Sequence, residues 1–163
     1  NTNTPYGESP VSTAMGAYFN KKAYTDPALR RKYTRMGFWV NIRLIRYPDV
    51  LLMAAESANE KGLMGEASGY LEQVRAHARG TLTNVLPKVE SLDQSVLREA
   101  IRHERRVELG LEPDRFYDLV RWGIAQEVLQ AARKNYQPKN ALLPLPQTEI
   151  DKSNGVLIQN PDY

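Results

Sequence analysis

Apolar residues recur at helical spacing from Tyr47 onward. One stripe occupies the i, i+3, i+4, i+7 and i+11 positions of a helix: Tyr47, Val50, Leu51, Ala54 and Ala58. A second stripe begins 20 positions later and contains Ala67, Tyr70, Leu71, Val74 and Ala78. Gly62 and Gly80 follow the two stripes, and glycine commonly ends a helix. The pattern therefore predicts two helices joined by a short turn, which form an antiparallel hairpin.

The small residues of this hairpin have the spacing of a tetratricopeptide repeat. The matching positions are Leu51, Ala54, Ala55, Ala58, Ala67 and Leu71. Ala55 stands where a small side chain allows two helices to approach closely. Leu51 and Ala58 replace the large aromatic residues of the repeat signature, and no proline closes the unit. The spacing thus supports a tetratricopeptide-like helix pair.

A third helix is predicted from Ser91 to Leu111. Ser91 and Gln94 have the spacing of a capping box at its start. Its apolar stripe consists of Val96, Leu97, Ala100, Ile101, Val107 and Leu111. Glu104 falls near the middle of this stripe, and Glu108 falls beside it. Because a buried carboxylate without a partner is costly, each of the two needs a cation or hydrogen-bond donors.

The next segment offers such cations on a short helix with Asp114 as its predicted N-cap. We interpret one set of residues as a structural ion-pair network: Glu104, Glu108, Arg115, Asp118 and Arg121. The alternative is that the carboxylates form the acid and base pair of a hydrolase, since side chains at i and i+4 share a helix face. The surplus of nearby arginines favours the structural network. His103 has no second ligand at metal-binding spacing on its face, so we expect a surface or satisfied histidine and no metal site. We also expect no cofactor.

The first 42 residues form an irregular, aromatic-rich segment, because prolines and glycines interrupt every periodic pattern there. Its rings could stack on sugar faces, and the candidates for ligand binding are Trp39, Tyr33, Tyr24 and Tyr18. The alternative is that these rings anchor the loops to a helical core. We therefore divide the chain into this segment, 1–42, and a helical domain, 43–163.

Composition narrows the possible partners. The chain has 22 basic and 19 acidic residues, and they are interleaved along most of its length, so nucleic-acid binding is not expected. The absence of cysteine excludes disulfides and thiolate sites within the sequence. No apolar run reaches the roughly 20 residues that span a bilayer. With no initiator methionine and no signal peptide, we expect a processed or truncated product.

Three blocks of sequence form a set of motifs over about residues 40 to 163. The first block is Ile45-Arg46-Tyr47-Pro48-Asp49-Val50-Leu51-Leu52-Met53-Ala54-Ala55-Glu56. The second is Glu104-Arg105-Arg106-Val107-Glu108-Leu109 with Arg115-Phe116-Tyr117-Asp118-Leu119 and Arg121-Trp122-Gly123. The third runs from Leu142 to Ile150 and ends with Gln159-Asn160-Pro161-Asp162-Tyr163. In order and approximate spacing, the three blocks resemble the C-terminal region of the SusD/RagB family. Two departures lie at turns, where Pro113-Asp114 and Asp162 replace glycines that are usual in the family.

The resemblance implies an all-α fold of tetratricopeptide-like helix pairs, with further helices and a loop-rich, extended C-terminal tail. It also implies a non-catalytic lipoprotein on the outer face of the outer membrane, whose lipid anchor lies outside this chain. Such a protein captures oligosaccharides, or in some members peptides, and delivers them to a SusC-like TonB-dependent transporter. The matched motifs are structural in the family. A helical docking module that contacts the transporter without binding glycan is the alternative.

Overall fold

The computed structural model describes residues 7, 24–26, 28, 41 and 43–163. Most of the predicted irregular segment, 1–42, lies outside these residues, so its boundary with 43–163 stays a prediction. The chain divides into two compact units, Asn1–Leu111 and Glu112–Tyr163. The described part is helical and contains no strand, which confirms the predicted all-α class.

The described part of the first unit contains three complete helices: α1, Tyr47–Glu60; α2, Met64–Arg79; and α3, Gln94–Glu108. Gly62 has a φ of +78° in the turn between α1 and α2, a conformation that glycine adopts without steric cost. The N–H of Leu63 also donates to the carbonyl of Ala58 at 2.9 Å and closes the end of α1. The predicted hairpin is therefore confirmed, and α3 packs against both of its helices.

The core of this unit consists of small and large aliphatic side chains. Ala55 of α1 and Ala67 of α2 are completely buried, so the two helices approach closely at the predicted small positions. The large side chains that fill the remaining space are Leu52, Leu71, Leu97 and Ile101. Tyr47, Val50 and Ala78, which the periodicity assigns to the core, are exposed instead. They lie at the ends or the edge of their stripes, where no described element covers them.

The start and end of α3 differ from the prediction. Asp93, and not Ser91, caps the helix, because its carboxylate accepts hydrogen bonds from the N–H groups of Ser95 at 2.9 Å and Val96 at 3.0 Å. The Gln94 side chain does not complete a capping box, because it donates to the carbonyl of Asn59 on α1 at 2.7 Å. The helix ends at Glu108. Three residues of the predicted stripe, Val96, Val107 and Leu111, are exposed.

We expect Asp93→Ala to lower the thermal midpoint by a few degrees, because two N–H groups of α3 lose their acceptor. The hydrogen bond from the Ser95 hydroxyl, with those from the two N–H groups, lowers the pKa of the Asp93 carboxyl. This stabilisation is present above the unfolded pKa of about 3.9 and is lost as the pH falls through the lower, folded value. Asp93→Asn keeps an acceptor without this titration, and melting curves between pH 2 and pH 7 would compare the three proteins.

The second unit contains three short α-helices and one turn of 3-10 helix. They are α4, Arg115–Arg121; α5, Ala125–Ala131; the 3-10 turn Pro138–Ala141; and α6, Gln147–Lys152. Asp114 lies at the predicted N-cap position of α4, but its side chain makes no capping hydrogen bond. Leu119, Ala125 and Tyr136 form a small core with Phe116 packed against it.

The tail is extended at 143–146, as its prolines predict, and becomes helical again at Gln147. Two side chains near its end hold the extended part. The Gln159 amide accepts from the N–H of Leu145 at 2.8 Å and donates to the carbonyl of the same residue at 2.9 Å. Asn160 donates to the carbonyl of Leu143 at 2.6 Å. The tail is thus ordered by amide side chains more than by an apolar core.

Asp162, which replaces a glycine usual in the family, has a φ of +66°. We therefore expect Asp162→Gly to leave stability unchanged or to raise it, since glycine adopts this conformation without strain. Asp162→Val should instead destabilise by about 1–2 kcal/mol, because a β-branched side chain is strained at positive φ. Thermal unfolding of both variants checks this, and equal midpoints would contradict the left-handed conformation.

Candidate functional site

The predicted ligand-binding aromatics fall mostly outside the described residues. Tyr18, Tyr33 and Trp39 lie outside them, while Tyr24 is partly buried next to the buried Thr25. A shared platform of these four rings therefore stays a prediction.

Glu104, the carboxylate predicted to point into the core, is 3% exposed. Its partner is Arg75 of α2, whose Nη1 lies 2.5 Å from the Glu104 Oε2. Arg75 also donates from Nη2 to the carbonyl of Pro87 at 2.9 Å. This guanidinium thus connects α2, α3 and the loop between them. Sequence reasoning missed Arg75, although its position four residues after Leu71 places it on the buried face of α2.

Glu108 is paired with Arg46, the residue before α1. Arg46 Nη1 lies 2.7 Å from the Glu108 carboxylate, and Nη2 donates to the Glu108 carbonyl at 2.9 Å. A cation at this position also stabilises the carboxyl end of the α3 dipole. One guanidinium therefore joins the start of α1 to the end of α3.

A third ion pair, which was not predicted from the sequence, joins α1 and α3. Arg105 of α3 donates to Asp49 of α1 at 2.8 Å, and the two side chains are 5% and 13% exposed. The position of Arg105 in the sequence could have indicated its burial, because it lies four residues after Ile101 and four before Leu109 on the buried stripe. Two family blocks are thus joined by Arg46–Glu108 and Asp49–Arg105, which gives these motif residues a structural role.

The remaining predicted network residues lie in the second unit. Asp118 is buried, and Arg121 Nε donates to its carboxylate at 2.9 Å. The guanidinium groups of Arg115 and Arg121 lie 5.7 Å and 4.8 Å from the centre of the Trp122 ring. Cation–π contacts and an ion pair with one buried partner, Asp118, therefore organise α4. A single network that includes Glu104 and Glu108 stays a prediction.

These contacts are typical of structural ion pairs. Glu104, Glu108 and Asp118 each have an arginine partner at 2.9 Å or less. A hydrolase needs an acid and a base with unequal environments across a cleft, and the two glutamates follow one another on one helix instead. Among the described residues, no group of three potential ligands could hold a metal ion. The described helices are also too short or too polar to cross a bilayer.

An open groove of about 480 Å³ lies on the first unit between α2 and the loop that follows it. Ser68, Glu72 and Gln73 line one side, and Lys88 and Leu92 line the other. Glu72 is held by Arg79 at 2.9 Å. The lining contains no aromatic ring, so the groove lacks a surface for sugar stacking.

Exposed aromatic surface is present on the second unit. Tyr117 of α4 is 65% exposed, whereas its neighbours Asp118 and Leu119 are buried. The Tyr117 ring packs edge-on against Phe116 at 5.8 Å, and Phe116 packs against the buried Tyr136 at 6.4 Å. The exposed ring is therefore attached to a packed aromatic cluster.

Comparisons with known proteins agree with the resemblance seen in the motifs. The model of the SusD family matches residues 1–141. SusD-like protein P25 of Formosa agariphila is 39% identical over 153 residues, which cover 90% of this chain and 27% of that protein. SusD-like protein P2 of the same organism is 35% identical over 127 residues, 73% of this chain and 25% of that protein.

The fold also matches a solved structure. A SusD homolog from Bacteroides thetaiotaomicron superposes with a TM-score of 0.67 at 30% identity, over 82% of this chain and 30% of that chain. The chain spans about a quarter of the length of the curated relatives it matches. Sequence blocks, family model and fold agree over most of the described residues, and the chain therefore belongs to the SusD family.

Proposed function

We propose that the protein bearing this region captures nutrient oligosaccharides at the outer face of the outer membrane and delivers them to a SusC-like TonB-dependent transporter. Membership of the SusD family carries the proposal. Peptides are the second ligand class that the family implies. Capture requires binding without chemical change, which agrees with carboxylates engaged by arginines.

Attachment to the membrane would use a lipid anchor outside these 163 residues, since the sequence contains no cysteine to be lipidated. The transporter would then be the partner that receives the ligand. No cofactor enters the proposal.

The test is an array of plant, algal and animal oligosaccharides probed with the labelled chain. We expect saturable binding to a group of chemically related glycans. The mass of the glycans on the array should be unchanged after incubation. Cleavage of a printed glycan would contradict a non-catalytic role. No signal on any glycan would contradict capture by this chain.

A second function, docking on the transporter without glycan binding, is favoured by exposed aliphatic side chains on the second unit. Leu143, Val156 and Ile158 are between 71% and 83% exposed, although hydrogen bonds from Gln159 and Asn160 hold the surrounding tail. Ordered apolar surface of this kind is common at protein interfaces. Retention of the chain by a detergent-solubilised SusC-like transporter, together with a blank array, would favour docking.

A further inference from the structure

One face of α4 carries three different functional groups, of which Tyr117 and Arg121 are exposed and Asp114 is partly buried. Asp114, Tyr117 and Arg121 are spaced i, i+3 and i+7, so their side chains share a face of the helix. Over the seven residue steps from Asp114 to Arg121 the backbone rises about 10 Å, which is about the length of a disaccharide. The face therefore presents a carboxylate, a phenol ring and a guanidinium within the reach of one small ligand.

Tyr117 is held in place without being buried. Its contact with Phe116 orients the ring, yet 65% of the residue stays exposed, and no described residue hydrogen-bonds its hydroxyl. The inward-facing residues of the same motif already form the core and the ion pair of the unit. An exposed and oriented ring adds little to that packing, and aromatic rings with a polar tip are frequent in binding surfaces.

Contacts with Asp118 and Trp122 orient Arg121, and its side chain remains partly exposed. Asp118 accepts from its Nε at 2.9 Å, and the Trp122 ring lies 4.8 Å from its guanidinium carbon. The side chain is nevertheless 44% exposed. A guanidinium has five N–H donors in a planar fork, so it can hold Asp118 and still donate to neighbouring hydroxyls. Asp114, whose side chain makes no capping bond, supplies an acceptor at the other end of the face.

We propose that Asp114, Tyr117 and Arg121 form a carbohydrate-binding subsite on the outer face of α4. The Tyr117 ring stacks on the apolar C–H face of one sugar, Arg121 donates to hydroxyls, and Asp114 accepts from hydroxyls. This combination fits a neutral oligosaccharide, which offers an apolar face and both donors and acceptors along its edge. The proposal rests on the proposed function and extends it, because the family motifs by themselves imply only structural roles for this segment.

The experiment compares variants of the whole chain on immobilised maltoheptaose, laminarihexaose and xylohexaose by biolayer interferometry. Tyr117→Ala should weaken binding of the best ligand about tenfold, equivalent to about 1.4 kcal/mol. Tyr117→Trp should keep the affinity, because it keeps a stacking ring. Tyr47→Ala is the matched control, since Tyr47 is 70% exposed in the first unit and should leave binding unchanged. Asp114→Ala is the second variant, and it should weaken binding without changing the thermal midpoint.

The outcomes separate this subsite from the wider function. Wild-type binding that is lost in Tyr117→Ala and restored in Tyr117→Trp supports the subsite. Wild-type binding that survives both Tyr117→Ala and Asp114→Ala overturns the subsite and leaves glycan capture standing. No wild-type binding to any of the three sugars or to the array contradicts glycan capture by this chain and the subsite together.

Discussion

Glu104→Ala is expected to lower the free energy of unfolding by about 3–5 kcal/mol. The substitution removes a carboxylate that is 3% exposed and leaves the Arg75 guanidinium, whose side chain is 12% exposed, without its anionic partner. A buried charge without a partner costs more free energy than the intact pair contributes. The loss of stability should therefore exceed that of removing a single hydrogen bond. Urea denaturation followed by circular dichroism measures the change.

Glu99→Ala is the matched control on the same helix. Glu99 lies 3.2 Å from Arg102, but its side chain is 72% exposed, so its removal should change stability by about 0.5 kcal/mol or less. A double variant, Glu104→Leu with Arg75→Met, should recover most of the loss, because apolar side chains replace both charges. A Glu104→Ala protein as stable as Glu99→Ala would show that Glu104 is solvated.

Leu97→Ala should destabilise the first unit by about 2–5 kcal/mol, because it leaves a cavity in a closely packed core. Leu97 has no exposed surface and packs in one cluster with residues of α1 and α2. Thermal and urea unfolding would both report the loss. The urea m-value should stay constant if the substitution changes stability without changing the unfolded state.

Val96→Ala tests the same helix at the adjacent position. The periodicity places Val96 and Leu97 in one apolar stripe, yet Val96 is 47% exposed. Its replacement should therefore cost about 0.5 kcal/mol or less. Equal losses for the two variants would mean that the stripe is buried as a whole and that the observed orientation of α3 is wrong.

The ion pairs give a physical account of the first two sequence blocks. Arg46 and Asp49 stand three residues apart at the start of α1, and their partners Glu108 and Arg105 stand three residues apart at the end of α3. Two oppositely oriented pairs fix both the contact and the register of the helices, since a shift by one turn would place like charges together. The two pairs therefore give the first and second blocks a shared structural role.

Much of the fold follows from the sequence alone. Helical spacing of apolar residues, with Gly62 after the first stripe, determined the α1–α2 hairpin, because a helix can bury a stripe only at that period. The alanines at positions 55 and 67 indicated close helix contact. The position of Glu104 on the apolar stripe of α3 likewise indicated a buried carboxylate that needs a partner. The motif blocks identified the family.

Tertiary structure determined the contact partners and the exposure of residues whose helix position the sequence predicts. Sequence spacing shows that Glu104 needs a cation, but Arg75 is 29 residues away, and only the packing of α2 on α3 brings the two together. The Gln94 side chain, which the spacing assigns to a capping box with Ser91, donates instead to the carbonyl of Asn59 on α1. The exposure of Tyr117 beside two buried neighbours was likewise set by the packing of α4 on Tyr136. Periodicity indicates which residues share a helix face. Which residues pack against that face depends on contacts between residues far apart in the chain.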